Sequence, residues 1–205
     1  MMEEGVLSAR EKILEAADTL FGELGFDAAT TREIAERSGV NKALIHYHFK
    51  SKEELLYSVL DRYYENLAQS LKAPILAKGD IRDRVMRLID VYVDFLSSNL
   101  NFSRIIQREA TGEKNATQIV ERTVPLFQLG MKFMKEAFPE TRAGDLAAEH
   151  LLVSFYGMIV TYFTYSGVLE HLVDANPLSK RNLESRKRHL RRMAELILDE
   201  IQSAT

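Results

Sequence analysis

The chain has 205 residues, enough for one small module and one larger one, with 28 % charged and 46 % hydrophobic residues, the balance of an ordinary globular protein. It has no cysteine, which excludes disulfides and thiolate metal sites, and only four prolines, which favours helices over strands. A formal net charge of -3 excludes a globally basic surface, so any contact with nucleic acid must be a local patch.

In chain order, residues 1–7 carry Glu3 and Glu4 and no apolar run, which is not the pattern of a signal peptide, so a cytoplasmic protein is expected. Ser8 with Glu11 three residues on is a capping box that opens a first helix. Ile13, Ala16, Ala17, Leu20, Phe21 and Leu24 give that helix one apolar stripe, and Gly25 stops it. Thr30 with Glu33 is a second capping box, for a short helix through Ile34 and Ala35 that Gly39 ends. Asn41 caps a third helix, and Ser51 with Glu54 forms a third box that opens a fourth. Beyond Pro74 and Gly79, a stripe from Ile81 to Phe95 predicts another helix, and Phe102, Ile105 and Ile106 a shorter one stopping near Gly112. Pro125 predicts a helix start or kink between Asn115 and Phe138. A long helix is expected from Thr141 past Leu169, then a loop over Asp174–Ser179 and a last helix to about Ile201. The fold class is therefore all-α, with a head over residues 1–52 and a larger helical body over 53–205.

Within the head, two short helices meet at a tight turn with Gly39 at its corner, the mechanics of a helix-turn-helix over residues 30–49. Val40, Ile45 and Phe49 should anchor the third helix, leaving Lys42, Ala43, His46 and Tyr47 facing outward for phosphates and base edges. From Thr30 to Lys52 the charge turns positive, with five Lys and Arg against two Glu. On spacing alone, a solvated helix pair in a generic bundle remains the alternative.

The run TTREIAERSGVNKALIHYHFKSKEELL, from Thr30 to Leu56, resembles the DNA-binding head of the TetR family of transcriptional regulators. The Thr-Thr-Arg opening, the Ser-Gly-Val turn, the Tyr-His-Phe ending and the Lys-Ser-Lys-Glu-Glu-Leu run match in order and spacing, and the likeness covers about residues 8–60. It implies that Thr31 binds a phosphate at a helix N-terminus and that Asn41, Lys42 and Ala43 approach phosphate and bases. By the same resemblance Tyr47 and His48 bond the DNA backbone and Lys52 clamps another phosphate. Two positions depart from the commoner pattern: His46 replaces a frequent Tyr, and Leu44 is bulkier than usual.

Leu151 to Leu169 carries no charge, which raises a membrane span; its Ser, Thr, Gly and Tyr content instead favours a helix buried on all sides. Ser154, Gly157 and Thr161 form a small-residue face suited to a partner subunit. Leu190, Ala194, Ile197 and Ile201 make a bundle seam on the last helix, and the resemblance implies that these two long helices pair into a homodimer interface. Phe95, Phe102, Phe127, Met131, Met134, Phe155, Met158, Tyr162 and Tyr165 are candidates for an apolar effector pocket, with Arg108 as a polar contact; each is equally a core residue. No metal spacing, cofactor motif or nucleophile arrangement stands out, so an enzyme is not expected. The basic run Lys180 to Arg192 reads first as a solvated face. The expected protein is thus a repressor released from double-stranded operator DNA by a hydrophobic small molecule. A helical adaptor that binds a protein partner through its body is the competing reading, which a filled core would favour over a well-formed cavity.

Overall fold

The computed structural model describes residues 7–110 and 114–203. Among them the chain forms ten α-helices and one 3-10 turn, with no strand. The head holds α1 (Ala9–Leu24), α2 (Thr31–Ser38) and α3 (Lys42–Phe49). Ser8 with Glu11 and Thr30 with Glu33 form complete capping boxes, each hydroxyl accepting an N–H and each carboxylate accepting one in return. At the third site only half a box forms, with the Ser51 hydroxyl accepting from the Glu54 N–H at 3.1 Å. Gly39 stops α2 in the left-handed region, φ 67° and ψ 21°, where a side chain would be strained.

The body begins with α4 (Lys52–Leu76), whose 25 residues span roughly 37 Å and tie the head to the rest. It continues through α5 (Ile81–Ser98), α6 (Leu100–Ala110), α7 (Ala116–Ala137), the 3-10 turn Pro139–Arg142, α8 (Ala148–Thr164), α9 (Ser166–Val173) and α10 (Lys180–Ser203). The expected stop near Gly112 lies outside the described residues. Pro125 neither starts nor ends a helix, because α7 runs through it. The long helix expected from Thr141 is three pieces. Pro139 and Gly144, the latter at φ 87°, hold the first stretch in turns, so α8 begins only at Ala148. At Tyr165 the path then bends by 74° into α9. No single helix among the described residues is long and apolar enough to cross a membrane.

One apolar core runs from α1 through α10, and a smaller cluster of Phe138, Leu151, Leu198 and Ile201 closes the far end. α10 lies antiparallel on α5, its register marked by Arg82–Asp199 at 2.6 Å, Arg191 on Asp90 and Lys187 on Asp94 at 2.5 Å. Such partly exposed pairs hold register more than they stabilise. Three charges of the basic run, Lys187, Arg191 and Arg192, are matched by carboxylates here.

This packing corrects one expectation. Leu190, Ala194 and Ile201 are buried inside the chain's own fold, and Ile197 faces an internal cavity. A heptad-like stripe reports that one face of α10 is covered, and here α5 and the core cover it.

Candidate nucleic-acid interface and effector cavity

Ile45 and Phe49 seat α3 in the core and Val40 packs beside them, while Lys42, Ala43, Leu44, His46 and Tyr47 are exposed, Tyr47 at 78 %. A large aromatic ring left that open on a short docked helix is unusual unless a partner covers it. His48 is half-buried, its ring edge-on to Tyr47 at 5.1 Å. Asn41 caps α3, its Oδ1 accepting the Ala43 N–H at 2.9 Å. Thr31 stands at the first position of α2, half-buried beside the N–H groups of that helix end.

Arg32 pairs with Glu36 at 3.0 Å and Arg37 with Glu23 at 3.4 Å, so Lys42 and Lys50 carry the positive charge of this face that no carboxylate offsets among the described residues. Lys50 counts in the sequence only toward the charge of this stretch, with no role of its own. It ends α3 at φ 58°, ψ -46°, and the Ser51 N–H bonds the Phe49 carbonyl across it. A non-glycine residue held there stores strain and fixes how α4 leaves the recognition helix.

Lys52 behaves differently from the expected phosphate clamp. Its ammonium donates to the carbonyls of Phe26 at 2.8 Å, Ala29 at 3.0 Å and Asp27 at 3.4 Å, above the Phe26 ring at 4.3 Å. All three donors are thereby committed to the α1–α2 loop, and Lys52 fixes where Thr30 and Thr31 sit. Lys52→Met is therefore expected to destabilise the fold by about 2 kcal/mol, since charge-assisted bonds to half-buried carbonyls are lost. Chemical denaturation would show it, and a change below a few tenths of a kcal/mol would refute the tether.

In the body, α4, α5, α7, α8 and α10 surround a cavity of about 230 Å³, with α6 across it at the end nearer the head. Of the expected pocket residues, Phe102, Phe127, Met134 and Phe155 line it, joined by Tyr64, Tyr92, Ser103, Thr123 and Tyr156, which sequence reasoning missed. The others are placed elsewhere. Phe95 is buried behind the Phe102 ring, 5.7 Å away. Met131 and Met158 are half-buried off the cavity, and the Met158 carbonyl accepts from Arg186. The Tyr162 hydroxyl donates to the Pro177 carbonyl at 2.8 Å, and Tyr165, at the helix bend, is largely exposed. Arg108 reaches away from the cavity to the Gly22 carbonyl of α1, at 3.2 Å.

That last contact belongs to a seam between cavity and head. The Asn101 amide donates to Asp18 at 3.1 Å, and the Tyr63 hydroxyl donates to the same carboxylate at 2.5 Å. Burial and the Asp18 charge push the Tyr63 phenol well above its ordinary range, so it remains a donor. α6 and α1 approach so closely at Gly22 that a Cβ there would lie 2.6 Å from Asn101. One face of α6 thus packs on the head while Phe102, Ser103 and Ile106 face the cavity.

A helix-turn-helix head on a hollow helical body is the class that fold and site define. Residues 13–59 match the family described as bacterial regulatory proteins, tetR family. It is 34 % identical over 97 residues to the HTH-type transcriptional activator FasR of Mycolicibacterium smegmatis, a match covering 47 % of this chain and 44 % of that one. It is 27 % identical over 175 residues to the class D tetracycline repressor protein of Escherichia coli, covering 84 % and 70 % of the two chains. The chain spans about half the length, or less, of the first curated relatives it matches. A solved transcriptional regulator from Aquifex aeolicus shares the fold, with TM-score 0.71 at 21 % identity over 93 % of this chain and 99 % of that one.

Proposed function

We propose that this protein is a homodimeric DNA-binding transcriptional regulator of the cytoplasm, released from its operator by an apolar small molecule. The observation that carries this reading is the two-faced helix α6, which joins the cavity to the DNA-facing head through Asn101–Asp18 and Arg108–Gly22. The head, residues 1–52, reads DNA, and residues 53–205 sense the effector and dimerise. Lys42 and Ala43 meet bases, Thr31, Asn41, Tyr47 and His48 meet the backbone, and His46 lies at the same face. The apolar cavity favours an effector over the adaptor reading, in which the core would be filled. The relatives are named as regulators, one an activator and one a repressor. Repression is the simpler outcome here, because α6, which walls the cavity, also packs closely on α1 of the head.

An effector can shift this equilibrium only by its differential affinity for the two head positions, typically about 1–3 kcal/mol, or 5- to 150-fold in operator affinity. Selection of bound fragments from random double-stranded DNA tests the reading. A two-fold symmetric site should emerge, with half-sites about 34–36 Å apart or a multiple of that. Lys42→Ala should then weaken binding and lower the salt slope by about one unit if it meets phosphate, or relax one base position by about 1–3 kcal/mol if it meets a base edge. Absence of any selected sequence would refute the reading.

A further inference from the structure

The cavity has a direction. It is lined from Tyr64 to Ile75 on α4, from Val85 to Leu96 on α5, from Thr123 to Met134 on α7 and from Leu151 to Val160 on α8. Each stretch rises roughly 13–17 Å, so the space is drawn out along the bundle. The Tyr64–Thr123 bond at 2.7 Å and the Arg122–Asp61 pair at 2.6 Å set α7 parallel to α4. Phe127 against Tyr156 at 5.3 Å, and Gly130 against Leu152, set α8 antiparallel to α7.

These directions gather the polar groups at one pole. Tyr64, Thr123, Tyr156 and Ser103 stand at the end nearer the head, with Tyr92 beside the Tyr64 and Tyr156 phenols. The far pole is wholly apolar, closed by Ile75, Met134, Leu151 and Leu198. Among the described residues no charged side chain lines the cavity. At the polar pole Ser103 is only 4 % exposed, and its hydroxyl has no hydrogen-bond partner among the described residues. A buried hydroxyl without a partner is unfavourable and is relieved when a ligand supplies one.

We infer that the cavity takes one electrically neutral, single-chain lipid, its tail toward Leu198 and its one hydroxyl or carbonyl group against Ser103. The inference rests on the reading of this cavity as the effector site, and names what fills it. About 230 Å³ drawn out over such a length accommodates one hydrocarbon chain. A carboxylate would surrender its hydration with no cation to receive it. Ser103 is a specificity residue, choosing a chain with a hydrogen-bonding end over one without.

The test is calorimetric titration of the full chain with 1-decanol, with sodium decanoate at pH 8, with 1-chlorodecane and with decanoyl-coenzyme A. Decanol is expected to bind one per chain, and decanoate at least about tenfold more weakly. Ser103→Ala should weaken decanol by roughly three- to tenfold while leaving chlorodecane within about twofold. A thermal midpoint of Ser103→Ala at or above that of the unaltered chain shows the fold intact, since the substitution removes an unpaired group. Decanoate or decanoyl-coenzyme A binding as tightly as decanol would overturn the inference, as would equal losses for decanol and chlorodecane or no binding of any chain. If decanol binds as stated yet leaves the operator complex untouched, the ligand class stands and the effector reading falls. If only a compound of another class occupies the cavity and releases the operator, the effector reading stands and the ligand class falls.

Discussion

Replacing Phe102 with alanine is expected to lower stability by about 3–5 kcal/mol, the range for a buried aromatic ring cut back to a methyl group. Phe102 is almost wholly buried and sits among three rings, Tyr63 at 4.9 Å, Tyr64 at 5.3 Å and Phe95 at 5.7 Å. Aromatic pairs of this kind contribute about 0.5–1.5 kcal/mol each beyond area burial. The space left behind would open into the neighbouring cavity and stay unfilled, because the surrounding helices are pinned by the α6–α1 seam. For a chain of this length each kcal/mol moves the midpoint by roughly 2–4 °C, so a fall of about 6–20 °C is expected. Phe127→Ala, on a half-buried ring at the middle of the cavity, should cost clearly less. Circular dichroism melting of both variants decides this. A Phe102→Ala midpoint within about 3 °C of the unaltered chain would show that the ring is not a keystone.

The head was legible because its determinants are local. A capping box is written within four residues, and both Ser8–Glu11 and Thr30–Glu33 form as their spacing predicts. The inward stripe of Ile45 and Phe49 likewise leaves Lys42, Ala43, His46 and Tyr47 outside. Lys52 was misread because its partners lie 23 to 26 residues upstream, at the carbonyls of Ala29 and Phe26. Side-chain type announces a cation; it does not announce that a loop will fold back onto it.

The body was less legible for a related reason. Apolar periodicity says that a helix face is covered, and is silent on what covers it. Leu190 and Ala194 therefore read as a subunit seam although α5 and the core take them. Phe95, Met158 and Tyr162 read as pocket wall although they pack, or bond, away from the cavity. Ser103 went unnoticed because a serine among Phe102, Ile105 and Ile106 carries no pattern of its own.

The second large effect is expected at Gly157, on the outer side of α8. Ser154 and Thr161 are exposed on this helix, Val153 is 61 % exposed, and α9 continues outward with Val168 at 61 % and Leu172 at 76 %. Apolar side chains left this open, next to small residues that permit close helix approach, fit an interface between two copies of the chain. Among the described residues nothing lies within 4 Å of a Cβ built on Gly157, so a glutamate there meets no clash with them. Glycine to glutamate even raises helix propensity, by about 0.5–1 kcal/mol. Gly157→Glu should therefore leave each chain folded while placing a charge on the surface where a second copy is proposed to dock. Without that partner a head holds one half-site alone and loses the high local concentration of its mate, an effect worth about 10²–10⁴ in affinity. Sedimentation of Gly157→Glu should give a monomer at micromolar concentration, and operator binding should fall by at least about a hundredfold. A variant that sediments as a dimer and binds operator within about threefold of the original would move the interface off α8, because a buried unpaired carboxylate cannot be accommodated so cheaply.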